Sequence, residues 1–223
     1  MTSILMGVIG IALLVVGAAA VRLQWRVGPI GFAVAAICAA FAYDVLIVAF
    51  GRVIGYGDLL HALSVPRFWL QAIAFPLLIP VTGTLMARLG VQQARTRNFA
   101  LGGAALVIML ILIGVIVDGV RLDLEPKNAG DALRYINGAA DGVQLPTIIT
   151  ILGVIVAAVA AARYARFPWL VIPALLLFAT AATAPKVLWV GALGELIIMA
   201  ALVFTMKTVA DREMASATTG GGI

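Results

Sequence analysis

Long apolar runs, separated by short polar segments, dominate the chain. A helix needs about 20 mostly apolar residues to cross the ~30 Å hydrocarbon core of a bilayer. The runs are continuous, whereas the strands of a membrane β-barrel alternate apolar and polar residues. The pattern therefore predicts seven transmembrane helices. They cover Thr2–Val21, Gly28–Phe50, Phe68–Ala87, Ala100–Val120, Thr147–Ala162, Pro168–Ala184 and Lys186–Met206.

The first run also has one feature of a signal peptide, a small-residue stretch at Ala18, Ala19 and Ala20. No Lys or Arg precedes this run, however, and it is longer than the apolar region of a typical signal peptide. We therefore interpret it as a retained first helix. Residues 1–210 are expected to form a single seven-helix transmembrane domain, and residues 211–223 a flexible cytoplasmic tail.

Composition supports a membrane protein and excludes several other classes. Of the 223 residues, 64% are hydrophobic and 11% are charged, against about 45–50% and 25% in a soluble domain. Cys38 is the only cysteine, so no disulfide can form within the chain. One cysteine and one histidine cannot build a His/Cys zinc site. We expect an all-α polytopic membrane protein, and no cofactor is predicted.

The distribution of positive charge predicts the orientation. The loops after helices 1, 3 and 5 and the C-terminal tail hold nine Lys and Arg residues, and the other loops hold six. Because cytoplasmic loops carry the excess of Lys and Arg, we expect the N-terminus outside and the C-terminus in the cytoplasm. The net charge of +5 is then mostly a topology signal, and no basic patch indicates a nucleic acid partner. An Arg-rich, Ala- and Gly-rich composition is typical of GC-rich bacteria, which suggests the inner membrane.

Two loops are long enough to contain structure of their own. The connection Arg121–Pro146 is predicted to hold a short helix near Ala129–Ile136, and it is either a lid or a plain connector. The loop Gly51–Pro66 contains an amphipathic piece, Leu59–Leu63.

Weak internal similarity suggests two parallel repeats in a 3+1+3 layout. Helices 1 and 5 both end in an Ala-rich stretch followed by arginines and a proline, and helices 3 and 7 both open with Pro, a basic residue and Trp. Ala-rich helices with such ends are also common in membranes. The layout is similar to that of SWEET-type sugar transporters, but the Pro-Gln signature of that family is absent.

Ionisable groups within the spans are the main functional candidates, because each costs roughly 2.5–3.5 kcal/mol at the bilayer centre on insertion scales. Asp44 lies ~9 Å and Glu195 ~13 Å from the outer end of its helix, at 1.5 Å per residue. Asp118 lies near the outer end of helix 4, and Gln71 lies one turn below Arg67 on helix 3. With His61 and Lys186, all seven residues fall in the outer half of the protein.

This one-sided distribution predicts a water-accessible cavity that opens outward between helices 2, 3, 4 and 7. Glu195 would form its floor, and Gly191 and Ala192 would leave room above it. Glu195 and Asp44 would bind a proton or cation, and Arg67, Gln71 and Lys186 would contact a polar or anionic substrate. Pro76 and Pro80 in helix 3 and Pro173 in helix 6 would bend their helices.

Structural roles for the same residues stay open. Glu195 could be a protonated carboxyl that hydrogen-bonds a neighbouring helix, and Asp44 could form an ion pair with Arg67 or Lys186. Arg67 and Lys186 each neighbour a Trp and could be interfacial anchors. Asp118 could be interfacial and His61 a surface residue.

Three functions therefore remain possible at the level of sequence. The leading hypothesis is a small carrier, possibly coupled to a proton or cation. The second is a ligand-binding or sensory module, or a partner subunit of a membrane complex. The third is a lipid-modifying enzyme in which Asp44 or Glu195 acts with His61. The expected partners are the bilayer, a small polar ligand or ion, and a membrane subunit or second copy of the chain.

Overall fold

A computed structural model describes residues 1–139 and 145–220, and within them the chain forms eight α-helices and one β-hairpin. The helices are α1 (Thr2–Val27), α2 (Ile30–Ile54), α3 (Asp58–Ala74), α4 (Leu78–Leu89), α5 (Arg97–Gly114), α6 (Leu145–Ala165), α7 (Val171–Thr183) and α8 (Leu188–Gly220). The strands are β1 (Leu124–Ala129) and β2 (Ala132–Asn137), which pair in antiparallel fashion.

Six helical segments of the described chain are long and apolar enough to cross a membrane, and a seventh, Pro168–Thr183, is shorter. One of the six combines α3 and α4 into a segment of 32 residues. Another combines α5 with a π-helical turn at Val115–Val120. The prediction of a multi-pass, all-helical membrane protein with seven apolar helical segments therefore agrees with the structure.

The outer surface of α1 shows why the bundle needs a bilayer. Ile4, Val8, Ile11 and Val15 are each more than half exposed, while Leu13 on the opposite face is fully buried. Both faces of this helix are apolar. The exposed apolar stripe has no protein cover in the described chain, which is the pattern expected of a helix face that contacts lipid.

Small residues allow α1 and α2 to pack closely. A methyl group added to Gly31 would lie 2.8 Å from the carbonyl oxygen of Ala20, and one added to Gly17 would lie 3.0 Å from the Cβ atom of Cys38. Because lipid tails are as apolar as the helices, close backbone approach is what favours association here.

The third helix begins earlier than predicted. The expected loop Gly51–Pro66 is wrong: α2 continues to Ile54, and α3 starts at Asp58. The amphipathic piece forms the first turns of α3, with Leu60 fully buried. Its polar residues lower the hydropathy below that of a membrane span, which is why the pattern placed the helix start later.

Prolines shape two helices in different ways. The third span is interrupted between Ala74 and Leu78, around Pro76. Pro76 has no N–H, so the carbonyl of Ala72 lacks its usual helical donor. Pro173 does not bend a helix interior as predicted. It lies in the first turn of α7, where the missing N–H removes no helical hydrogen bond.

The predicted short helix at Ala129–Ile136 is also wrong, because this segment forms the β-hairpin. Ala129 pairs with Ala132, so Gly130 and Asp131 make a two-residue turn. Gly130 has φ of 64°, a conformation that glycine adopts without steric cost. A Gly-Asp pair between two short strands is a recognised hairpin signal.

The hairpin is fastened to one end of the helical bundle. Asp131 accepts hydrogen bonds from the Thr2 amide (2.7 Å) and from the Met1 ammonium (2.6 Å). The ammonium holds the pKa of the Asp131 carboxyl well below its usual range. The backbone of Leu133 packs directly on Gly51 of α2, where a Cβ atom would collide with the Leu133 carbonyl oxygen.

The opposite end of the bundle is joined by ion pairs. Arg88 of α4 contacts both carboxylate oxygens of Glu213 at 3.0 and 2.8 Å, and also donates to the carbonyl of Val27. Of these residues, Glu213 belongs to the predicted tail. The helix α8 continues to Gly220, so residues 211–220 are helical, and residues 221–223 lie outside the described part.

We predict that Gly51→Ala loosens the hairpin. The new methyl group would displace the Leu133 carbonyl, at a cost of about 1–3 kcal/mol for overpacking. The midpoint temperature of thermal unfolding in detergent should fall, and limited proteolysis should cut faster within residues 124–137. Gly102→Ala on α5 is the matched control, because a methyl group there has no neighbour within 4 Å. Equal behaviour of the two variants would contradict the close contact between Gly51 and Leu133.

Candidate functional site

A buried ion pair joins α2 to α3 near the hairpin end of the bundle. The Nε atom of Arg67 donates to Oδ1 of Asp44 at 2.7 Å. The two side chains are only 6% and 16% exposed. The guanidinium carbon also lies 5.5 Å from the centre of the Phe68 ring. Because both side chains are so little exposed to solvent, each charge depends on the other. Removing either partner would leave a buried charge unpaired.

Gln71 connects this pair to Glu195 of α8. Its Nε2 atom donates to Oδ2 of Asp44 at 3.4 Å and to Oε1 of Glu195 at 3.5 Å. Gln71 follows Arg67 by four residues, so both side chains lie on one face of α3. The second oxygen of Glu195, Oε2, is buried without a hydrogen-bond partner among the described residues. The structure thus brings together four of the seven predicted site residues.

Arg134 of β2 is a member of the site that the sequence analysis missed. Its Nε atom is buried and has no hydrogen-bond partner in the described chain. Burial, followed by the nearby charge of Arg67, lowers the pKa of the Arg134 guanidinium, while Asp44 and Tyr56 oppose this shift. In the sequence, Arg134 was only one of several charges in a long loop. A Gly-Asp hairpin turn was the available signal that this segment could fold back onto the spans.

Asp118 lies beside the site and not within it. The side-chain amide of Asn137 donates to the Asp118 carboxylate at 3.2 Å and to the carbonyl of Val117 at 3.1 Å. Asp118 and Gln71 both line a cavity of about 40 Å³. This volume has room for roughly three water molecules, at 10–15 Å³ each. The full lining is Phe68, Gln71, Ala72, Phe75, Pro76, Gly114, Asp118, Pro146 and Thr147.

This cavity lies in a different place from the predicted one. It lies between α3, the end of the α5 span and the start of α6, and Glu195 is not among its lining residues. Gly191 does not leave room for a ligand either, because a methyl group there would lie 2.7 Å from the Cβ atom of Ala184. Gly191 instead allows the chain just after α7 to approach α8 closely.

The remaining two predicted residues lie apart from the acids. His61 is exposed on the first turn of α3, and its ring packs edge-on against Tyr135 of the hairpin at 5.3 Å. Lys186 is exposed in the turn before α8. Within residues 1–139 and 145–220, neither side chain makes a hydrogen bond or an ion pair with Asp44 or Glu195.

The site therefore consists of two acids, two arginines and one amide in a largely apolar setting. We refer to Asp44, Arg67, Gln71, Arg134 and Glu195 as the polar cluster. It can exchange a proton at a carboxyl and can donate hydrogen bonds from guanidinium groups. Comparisons of the chain with protein-family models, with curated proteins and with solved structures found no match.

We predict that Asp44→Asn destabilises the protein strongly. The change leaves the buried Arg67 charge without its partner, which typically costs about 3–5 kcal/mol. The double variant Asp44→Asn/Arg67→Gln should recover part of that loss. Unfolding in mixed micelles of increasing sodium dodecyl sulfate content would measure the difference.

A matched control for this experiment is Asp211→Asn. Asp211 lies 3.7 Å from Arg26, and both side chains are about half exposed, so this loss should stay below about 1 kcal/mol. If Asp44→Asn were no more harmful than Asp211→Asn, the ion pair of Asp44 and Arg67 would not hold α2 and α3 together.

Proposed function

We propose that this protein is a small proton-coupled membrane carrier for a polar or anionic solute. The observation that carries this proposal is the link from Glu195 through Gln71 to the ion pair of Asp44 and Arg67. Ionisable groups at such depth in a span are costly, and in membrane proteins they mark proton relays and substrate pathways.

Glu195 is the proposed proton-binding group. One of its carboxylate oxygens accepts from Gln71, and the other is buried without a partner in the described chain. A carboxyl in that position is neutral when it holds a proton and charged when it does not. The amide of Gln71 donates to both acids, so a change of charge at Glu195 alters the hydrogen bonds around Asp44. This supports coupling between proton binding and the rest of the cluster.

The interruption of the third span supports movement near the site. The helix breaks just one turn beyond Gln71, and Phe75 and Pro76 at the break also line the small cavity. Discontinuous helices at the binding site are a recurring feature of secondary transporters. We propose that α3 and α4 change their relative angle at this break when the site alternates between the two sides.

The orientation and the membrane follow the charge pattern of the sequence. We propose that the N-terminus and the hairpin face outward and that the protein resides in the inner membrane of a bacterium. Arg88, Arg95 and Arg97 lie at the end of the bundle opposite the hairpin, as the positive-inside rule requires for a cytoplasmic end. We also propose a 3+1+3 repeat, which rests on the similarity of the helix ends in the sequence.

The two other hypotheses receive less support from the geometry. The enzyme hypothesis needs His61 beside an acid, and the described contacts of His61 are with the hairpin. The sensory or partner-subunit hypothesis shares the same ligand site but requires no net movement of solute. A transport assay therefore separates it from a carrier.

We predict that Glu195→Gln abolishes proton-driven accumulation. Proteoliposomes with an alkaline interior would be tested for uptake of L-lactate, succinate, L-alanine and D-glucose. The native protein should accumulate at least one solute, and a protonophore should prevent it. The amide cannot bind and release a proton, so accumulation should fall to the level of empty liposomes.

Glu213→Gln is the matched control for this assay. It makes the same chemical change on the same helix, but in an ion pair at the opposite end of the bundle. Its accumulation should remain close to that of the native protein. Uptake that persists unchanged in Glu195→Gln would remove the coupling role. Failure of the native protein to move any of the four solutes would argue against a carrier.

The orientation has a separate test by cysteine labelling. Lys127 of β1 and Gln93 of the turn before α5 are both exposed and lie at opposite ends of the bundle. In intact spheroplasts, a membrane-impermeant maleimide should label the Lys127→Cys variant. It should label the Gln93→Cys variant only after the membrane is opened. Cys38 is fully buried, so background labelling of the native cysteine should be low. The reverse labelling pattern would overturn the proposed orientation.

A further inference from the structure

Two arginines of the polar cluster carry buried N–H groups that no described residue satisfies. Arg67 is 5% exposed, and its Nη1 atom has no hydrogen-bond partner, although its Nε atom binds Asp44. The Nε atom of Arg134 is in the same condition. A buried, charged donor without a partner is costly. Two such donors in one region point to a negatively charged ligand that accepts from both.

The hairpin brings the two guanidinium groups into the same region. The strand β2 lies across the ends of α2 and α3, with Leu133 packed on Gly51 and Tyr135 packed on His61. Arg134 lies between these two contacts in the chain. Its charge interacts with those of Arg67 and Asp44. The positive charges of Arg67 and Arg134 therefore act on each other. The Asp44 carboxylate already accepts a hydrogen bond from Arg67.

The charge count of the cluster depends on Glu195. Arg67 and Arg134 contribute two positive charges, and Asp44 contributes one negative charge. The sum is zero when Glu195 is ionised and +1 when it holds a proton. A monovalent anion therefore restores neutrality only in the protonated state. Low dielectric makes such neutrality energetically important.

The chemistry of the donors favours a carboxylate. A guanidinium group presents N–H donors in a planar fork that matches a carboxylate, and such pairs are short and strong. A divalent anion would leave the cluster with an excess negative charge. The cavity of about 40 Å³ beside Gln71 is lined by neither arginine, so the proposed anion site is defined by the two guanidinium groups and not by this cavity.

We propose that Arg67 and Arg134 bind a small monocarboxylate, and that one proton on Glu195 accompanies each bound anion. This inference rests on the proposed carrier function and specifies its substrate class and stoichiometry. The proton comes from water, and no covalent bond is formed or broken in the anion. The anion and the proton together carry no net charge, so their transport would be electroneutral.

Few other ionisable groups face Glu195. Asp44 of α2 lies on the far side of Gln71, where Arg67 of α3 binds it, and Arg134 of β2 interacts with that pair. The neighbouring helices α1 and α7 contribute no charged residue along Thr2–Val21 and Val171–Thr183. The charged residue of α4, Arg88, is paired with Glu213 at the opposite end. Proton exchange at the cluster is therefore assigned to Glu195.

The test is isothermal titration calorimetry of L-lactate into the purified full chain in lipid nanodiscs. Repeating the titration in two buffers of different ionisation enthalpy gives the number of protons taken up per anion. The native protein should bind L-lactate saturably and take up about one proton at a pH where Glu195 is ionised before binding. Glu195→Gln should still bind L-lactate but take up none.

Arg134→Gln should weaken L-lactate binding by about tenfold or more, the usual effect of losing a hydrogen bond to a charged group. Arg121→Gln is the matched control, since Arg121 is exposed at the start of the same loop, and its affinity should be unchanged. Arg67→Lys retains the charge beside Asp44 and should fold, but it lacks the fork and should also bind more weakly. Thermal unfolding of each variant would show that it is folded.

Several outcomes would overturn the inference. They are no saturable binding of L-lactate, equal affinity in Arg134→Gln and Arg121→Gln, tighter binding of inorganic phosphate than of L-lactate, or no proton uptake by the native protein. Glu195-dependent accumulation of D-glucose or L-alanine without L-lactate binding would leave the carrier in place and reject only this substrate class. Binding of L-lactate with proton uptake but without transport would support the anion site and reject the carrier function.

Discussion

The arrangement of the whole hairpin end depends on how the protein accommodates charge within an apolar bundle. Arg67 is buried and Asp44 is largely buried within their spans, and each would be costly alone. Their direct contact at 2.7 Å fixes α2 against α3, and this places Gln71 one turn further along toward Glu195. The side-chain amide of Gln71 thus links Glu195 of α8 to the ion pair between α2 and α3.

The hairpin gives this cluster its boundary. It is held by Asp131 at the start of α1, by Gly51 on α2 and by Asn137 at the end of the α5 span. Tyr135 also packs against His61 of α3, so one short element contacts four spans and contributes Arg134 to the cluster. A change in hairpin position would move a charge next to Arg67, which connects the outer surface of the bundle to its buried ion pair.

Helix discontinuities lie close to the same place. The break around Pro76 and the π-helical turn at Val115–Val120 both adjoin the cavity shared by Gln71 and Asp118. Irregular backbone at membrane depth is tolerated where protein or a water-filled cavity satisfies its polar groups. The polar cluster, the irregular segments and the cavity are consequently parts of one region, while the opposite end of the bundle is joined by the ion pairs of Arg88 with Glu213 and of Arg26 with Asp211.

Sequence by itself determined the class of the fold and the presence of acids within the spans. Polar groups are costly in lipid, so membrane-spanning helices stand out as apolar runs, and an acid within such a run is visible in the sequence. It also indicated that Asp44, Arg67, Gln71 and Glu195 share one end of the protein. Only the tertiary structure decided that these four contact one another, that His61 and Lys186 remain outside, and that Arg134 joins them. The reason is physical: hydropathy reports depth along the membrane normal, whereas contacts depend on helix rotation, on the close approach of glycines such as Gly51 and Gly191, and on a hairpin that folds back over the spans.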